Sequence, residues 1–172
     1  MTWRRAAARA VDGLNRVAAL MCHGLLVVIT GITVMQVVLR YFFNSPTSWS
    51  EEIALFCLIW FGLLAVAVGI RRHEHVAITF LRDLCPRSIA SLLDYAAQLA
   101  MAVFMFVVMF FGQDLIALAG SQVLPASGLP KSLLYFPTIA AGALGLINAL
   151  MNIVLREVHV SPHTSLEVGD GG

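Results

Sequence analysis

The sequence predicts an all-α integral membrane protein with four transmembrane helices and both termini in the cytoplasm. Hydrophobic residues make up 59% of the 172 residues and charged residues only 12%, whereas soluble domains average about 45–50% and about 25%. Four long apolar runs can each cross a bilayer core of about 30 Å as a helix that rises about 1.5 Å per residue. Lipid offers no hydrogen-bond partners to a backbone, so helices are the expected form of these runs.

The predicted elements follow one another along the chain. A basic cytoplasmic segment covers residues 1–16, and a transmembrane domain covers residues 17–156. The loop at 72–93 mixes apolar and charged residues, and we expect either an interfacial helix or a cytoplasmic continuation of helix 2. The tail at 157–172 is polar and glycine-rich, so we expect it to be disordered. The four helices are predicted near residues 17–39, 52–71, 94–116 and 133–155.

Basic residues are divided unequally between the two sides of the predicted helices, and this division predicts the orientation. The poor side carries Arg40 and Lys131. Basic loops stay in the cytoplasm, so the rich side and both termini are expected there. The basic residues of the rich side are Arg4, Arg5, Arg9, Arg16, Arg71, Arg72, Arg82, Arg87 and Arg156.

The stretch LRYFFNSPTSWSEEIALF between the first two runs is predicted to be the water-facing tip of a helical hairpin. Ser48 and Glu51 have the S-x-x-E spacing of a capping box, which predicts that Ser48 caps helix 2 and Glu51 reaches back. Glu51 and Glu52 lie at the positive end of that helix, and Arg40 lies at the negative end of helix 1, where it can pair with a glutamate. The turn residues and interfacial aromatic residues of the tip are Asn44, Ser45, Pro46, Tyr41 and Trp49.

Ionisable residues inside a membrane are the usual candidates for a transport pathway, and here they are scarce. His23 lies in the cytoplasmic-side portion of helix 1, and Asp94 and Asp114 lie near the ends of helix 3. The apolar runs contain no carboxylate near the midplane. This chain alone is therefore a poor candidate for an ion or substrate pathway.

Uncharged polar and small residues in helices 2 and 4 suit helix packing instead. Asn148 and Asn152 lie one turn apart on helix 4 and can hydrogen-bond to a neighbouring helix for about 0.6 kcal/mol each. Small residues at spacings of three or four allow backbones to approach closely, either within this chain or against a partner. These small residues are Gly62, Ala65 and Gly69 on helix 2 and Ala141, Gly145 and Ala149 on helix 4.

The residues give no support for a cofactor, a metal site or catalysis. His73 and His75 flank Glu74, but no further ligands stand at zinc-site spacing. The cysteines are isolated, and no nucleophile–base set or nucleotide-binding loop is present. Nucleic-acid binding is not expected, because the arginines flank membrane helices.

Three short motifs resemble the small membrane subunit of the TRAP transporters, the tripartite ATP-independent periplasmic systems. The resemblance covers about residues 26–155, with the motifs in the family's order. The first is R-Y-x-x-N-x-x-x-x-W-x-E-E at the hairpin tip. The second closes helix 2 with a small residue, an arginine and a histidine, and the third opens helix 4. The matching residues are Arg40, Tyr41, Asn44, Trp49, Glu51 and Glu52, then Gly69, Arg71, His75 and Val76, then Leu129, Pro130, Tyr135 and Pro137.

The resemblance implies an accessory subunit in the bacterial inner membrane. Its partners would be a large TRAP membrane subunit, a periplasmic substrate-binding protein and membrane lipids. The large subunit would carry the substrate and sodium sites for uptake of an organic acid, commonly a carboxylate, while the small subunit braces it. The hairpin tip would face the periplasm and help to dock the binding protein, and His75 would cap helix 2 or contact the partner.

Two other functions are weighed against this one. A self-sufficient, oligomeric small exporter would be expected to carry a membrane-embedded carboxylate, which the apolar runs lack. A four-helix redox subunit would hold haem between two histidines, but only His23 lies within an apolar run.

Overall fold

The computed structural model describes residues 2–45, 47–72 and 87–155. It contains four helices long and apolar enough to cross a membrane, which confirms the predicted fold class. His75, Pro46, the tail at 157–172 and most of the loop at 72–93 lie outside the described residues. The orientation of the termini stays a prediction. The helices are α1 (Thr2–Phe42), α2 (Ser48–Arg72), α3 (Arg87–Ala119) and α4 (Phe136–Leu155), with a short 3-10 helix (Lys131–Leu134) before α4.

Three helices begin earlier than the hydropathy of the sequence indicates, and the difference is largest for α1 and α3. α1 begins at Thr2 rather than near residue 17, and α3 begins at Arg87 rather than near residue 94. Alanine and arginine are strong helix formers, so the basic segment continues α1 beyond its apolar run. Arg4 in this extension donates a hydrogen bond to the carbonyl of Val154, close to the end of α4. The predicted bounds followed the apolar run, whereas the helix continues past it.

The helices are arranged side by side in the order α1, α2, α4, α3. α1 packs on α2, α2 on α4, and α4 on α3, whereas α1 and α3 share no packed interface within the described part of the chain. The middle helices are accordingly more covered: 39% of the α4 span is buried, against 17% of the α1 and α3 spans. The chain therefore exposes two edge helices and broad apolar faces.

The buried core follows the contact between α2 and α4. α1 contributes residues to it only between Asn15 and Cys22, and none of its residues from His23 to Phe42 is buried. The larger cluster comprises Ala18, Ala19, Cys22, Leu64, Ala67, Val68, Ala141 and Leu144, and a second comprises Ile70, Ala102, Met105 and Ala149.

α3 and α4 approach closely because glycines on α4 leave room for methionines on α3. A Cβ atom at Gly142 would lie 2.9 Å from the Cβ of Met109, and one at Gly145 would lie 2.8 Å from the Sδ of Met105. Real Cβ atoms do not pack so tightly. A side chain at Gly142, which also faces the backbone of α3, would push α3 away, whereas one at Gly145 would displace the side chain of Met105.

Candidate functional site

The tip between α1 and α2 closes through local hydrogen bonds. Asn44 adopts a left-handed conformation with φ of 50°, which asparagine tolerates better than most residues, and the Ser45 amide returns to the Leu39 carbonyl at 3.1 Å. At the start of α2, the Ser50 hydroxyl donates to the Thr47 carbonyl at 2.6 Å, so its oxygen accepts from the Thr47 hydroxyl at 2.7 Å. The chain thus reverses direction within a few residues.

The predicted capping box between Ser48 and Glu51 is wrong. Ser48 is already the first residue of α2, and the side-chain contacts at the helix start join Thr47 to Ser50. Glu51 instead accepts a hydrogen bond from the side chain of Gln36 at 3.0 Å and ties the outer part of α1 to α2. The contact between Glu51 and α1 therefore replaces the local bond that the sequence pattern indicated.

Glu52 holds the loop between α3 and α4. Its carboxylate accepts from the amides of Ala126 and Ser127 at 2.9 and 2.8 Å, and from the Ser127 hydroxyl at 2.6 Å. Charge-assisted bonds of this kind are about twice as strong as neutral ones. Neither glutamate pairs with Arg40, which forms no ion pair with any residue that the structure describes.

The loop that Glu52 holds is itself compact. Val123 and Pro130 form an isolated antiparallel bridge, and the amide of Leu124 donates to the carbonyl of Leu129 at 2.8 Å. Gly128 makes the turn at a φ of 68°, a value that favours glycine. Leu124 is buried, while Val123 and Leu129 are exposed. The two connecting segments at this end are therefore joined through Glu52 and present exposed apolar side chains.

At the opposite end of the bundle, Asn148 lies at the centre of a buried polar junction. It exchanges two hydrogen bonds with the side chain of Asn15 on α1, at 2.7 and 2.8 Å, and donates to the carbonyl of Ala67 on α2 at 2.8 Å. Asn15 also donates to the carbonyl of Val11 in its own helix. Asn148 is fully buried and Asn15 nearly so, and both amides are satisfied.

Arg71 and Asn152 extend the junction to the ends of the helices. Arg71 donates to Asp12 on α1 at 2.9 Å and to Asn152 on α4 at 2.6 Å. Asn152 donates to the carbonyl of Ile70 on α2 at 2.9 Å and to Gln98 on α3 at 3.4 Å. All four helices therefore meet in one hydrogen-bonded network.

Comparison with known proteins identifies the family of this chain. The family described as the DctQ component of tripartite ATP-independent periplasmic transporters matches residues 29–158. The chain belongs to this DctQ family. Its predicted resemblance to the TRAP small membrane subunit is thereby confirmed, and this DctQ-family chain is a multi-pass membrane component of a transporter.

Relatives of the DctQ-family chain agree. A TRAP transporter small permease protein of Haemophilus influenzae is 28% identical over 131 residues, which cover 76% of this chain and 81% of the relative. The sialic acid TRAP transporter permease protein SiaT of Haemophilus influenzae is 34% identical over 99 residues, 58% of this chain but 16% of SiaT. The C4-dicarboxylate TRAP transporter small permease protein DctQ of Vibrio cholerae is 28% identical over 81 residues, 45% of this chain and 35% of the relative.

The junction of the DctQ-family chain brings together three predicted site residues, Arg71, Asn148 and Asn152. Asn15 and Asp12 were missed because residues 1–16 were interpreted as a segment outside the transmembrane domain. Their spacing held the signal: residues 12 and 15 share one helical face with the apolar residues that follow.

The remaining predicted site residues lie apart from this junction. Gly145 packs against α3, but no atom lies within 4 Å of a Cβ placed on Gly62 or Gly69. The predicted small-residue face of α2 is thus open at its glycines, although Ala65 between them packs against the core. Tyr41 is 77% exposed and Trp49 41% exposed, and their place in an aromatic belt stays a prediction.

His23 stands level with the middle of α2 in the DctQ-family chain. Its neighbour Cys22 contacts the carbonyl of Phe61, near the middle of that helix. The side of the membrane to which His23 is nearer stays a prediction. Among the described residues, no group of three or more His, Cys, Asp or Glu side chains could hold a metal ion.

Proposed function

We propose that this DctQ-family chain braces a large TRAP permease subunit during the sodium-coupled uptake of an organic acid across a bacterial inner membrane. The observation that carries the proposal is the side-by-side order of the helices, which leaves broad apolar faces uncovered. A chain that enclosed its own pathway would instead surround a polar interior. The buried polar junction is fully hydrogen-bonded, which suits a rigid support better than a conduit.

The relationship with SiaT supports a large partner. In that relative the matched segment is 16% of a longer permease protein. A segment covalently joined to the rest of a permease stays beside it in the membrane. We infer that the same segment, as the separate chain described here, lies against a separate large subunit.

The names of two relatives support the substrate class. SiaT is named for sialic acid and the Vibrio cholerae relative for C4-dicarboxylates. Both are organic acids that carry carboxylates. We propose that the transporter served by this chain also takes up an organic carboxylate.

The end formed by the hairpin tip and the loop that Glu52 holds is proposed to face the periplasm. Basic residues are sparse there, and abundant at the other end. Its exposed aromatic and apolar side chains, including Phe42, Trp49 and Val123, offer a contact for the periplasmic binding protein. Both glutamates are occupied within the chain, so they position this surface rather than contact the binding protein directly.

Purification from native membranes tests the proposal. A C-terminal tag in mild detergent should recover the chain with about one equivalent of a larger multi-span membrane protein. When both are reconstituted with the binding protein, a sodium gradient should drive uptake of an organic acid, and uptake should be lost without this chain. Recovery of a homo-oligomer that transports alone would refute the proposal and favour the self-sufficient exporter.

A further inference from the structure

His23 is a polar side chain exposed near the middle of a membrane helix. The contact between Cys22 and Phe61 places it about ten residues, or roughly 15 Å, from each polar end of α2. Its side chain is exposed, and it lies just beyond Cys22, the last buried residue of α1. Ionisable side chains at this depth are costly in lipid and almost always face protein or water.

The hydrogen bond that His23 makes indicates which of its ring nitrogens donates and which is left to accept. Its Nδ1 lies 2.6 Å from the carbonyl oxygen of Ala19. A carbonyl only accepts, so Nδ1 carries the proton and donates. In the neutral ring, Nε2 is then an acceptor, and no other hydrogen bond reaches the ring among the described residues. A partner for Nε2 of this neutral tautomer is therefore a donor.

The face of α1 around His23 is apolar and exposed, and it contains two glycines with open space around them. Residues 20, 24, 27, 31 and 34 alternate at spacings of three and four, so they form one stripe, and His23 lies beside it. Leu20 is 71% exposed and Val27 72% exposed, and no atom lies within 4 Å of a Cβ placed on Gly24 or Gly31. Small residues beside a hydrogen-bonding side chain are typical of helix–helix contacts in membranes.

We propose that this face of α1, called the His23 face and comprising Leu20, His23, Gly24, Val27 and Gly31, docks a transmembrane helix that presents a hydrogen-bond donor to His23 Nε2. The donor is a hydroxyl, an amide or an indole N–H. The identification of that helix as part of the large subunit rests on the proposed function. The docking itself rests on the depth, exposure and bonding of His23.

The chemistry argues against lipid and against a symmetric second copy as the occupant. Acyl chains provide no donor to Nε2. In a parallel two-fold dimer through this face, two His23 rings would meet, and each Nδ1 proton is already used by its own helix. Two acceptors would then face each other without a proton between them. A different helix with a donor satisfies both requirements.

Site-specific cross-linking in native membranes tests the location of the contact. A photoreactive benzoylphenylalanine replaces Leu20 or Val27 on the His23 face, and Leu99 on the opposite edge helix α3, 59% exposed, serves as the control. Cross-links to the large subunit from Leu20 and Val27 are expected. Cross-linking from Leu99 alone, or only between copies of this chain, would overturn the docking proposal.

Substitution of His23 tests the chemistry of the contact. His23→Leu should lower recovery of the large subunit about threefold to tenfold, the range for one interhelical hydrogen bond in a membrane. His23→Gln should largely restore recovery, because its carbonyl oxygen accepts. The chain alone should keep its stability with leucine, because it loses only a bond within α1. Unchanged recovery with leucine, or a loss of stability in the isolated chain, would contradict the proposal.

The two proposals fail in different ways. If the large subunit co-purifies but no protein cross-links to Leu20 or Val27, the His23 face is refuted and the bracing function stands. If those positions cross-link to another membrane protein and no large subunit is recovered, the bracing function is refuted and the docking face stands.

Discussion

The replacement of Asn148 by leucine measures how much the hydrogen bonds of the polar junction contribute to stability, because it changes the side-chain volume little. The substitution removes two bonds to Asn15 and one to the carbonyl of Ala67. At about 0.6 kcal/mol for each interhelical bond the loss is about 2 kcal/mol. The side-chain oxygen of Asn15 also loses its buried donor, which adds about 1–2 kcal/mol. We expect a total destabilisation of about 3–4 kcal/mol.

Equilibrium unfolding of the chain in mixed micelles with SDS, followed by far-ultraviolet circular dichroism, measures this effect. A double-mutant cycle provides the control, because Asn15→Leu and Asn148→Leu each leave the other asparagine without its partner. The double variant should therefore be more stable than the sum of the single effects implies, by about 1–2 kcal/mol. Strict additivity, or a single effect of Asn148→Leu below about 0.5 kcal/mol, would refute the reasoning.

Two further predictions concern the opposite end and the α3–α4 contact. Glu52→Gln should speed hydrogen exchange of the α3–α4 loop amides, since an amide side chain replaces one acceptor oxygen with a donor, whereas Glu51→Gln should leave the exchange of that loop unchanged. Equal exchange in both variants would show that Glu52 does not hold the loop. Gly142→Ala should destabilise the isolated chain by about 1–3 kcal/mol through overpacking against α3, while Gly62→Ala, with open space around it, should not. A similar loss at both positions in thermal unfolding would mean that close packing is not the cause.

Much of the fold could be predicted because a membrane converts apolar length directly into a spanning helix. Four uncharged runs indicated four helices, and the structure confirms them. The order of packing could not be predicted, since hydropathy does not indicate which helices are neighbours. That order depends on particular contacts, such as Gly142 against Met109 and Asn148 against Asn15.

The site was predicted unevenly for a similar reason. Asn148, Asn152 and Arg71 stand out as polar residues within or beside apolar runs, so they attract attention in a sequence. Asn15 and Asp12 lie in a stretch whose basic composition indicates a segment outside the membrane. Only the continuation of α1 brings them into the junction. The capping box failed because Glu51 bonds to Gln36 on α1, a contact between helices that the local pattern does not indicate.

The position of α4 between α2 and α3 constrains the order in which the chain can fold during synthesis. α4 is the last helix to enter the membrane, yet Asn148 and Asn152 supply the partners for Asn15 and Arg71, which enter among the first. α3 has its main packing contact with α4 and reaches α2 only through the small cluster around Ile70. Until α4 is inserted, Asn15 and Arg71 therefore lack the partners that α4 supplies, although Arg71 can already pair with Asp12 on α1. Completion of α4 is the step at which a newly made subunit becomes a single folded unit.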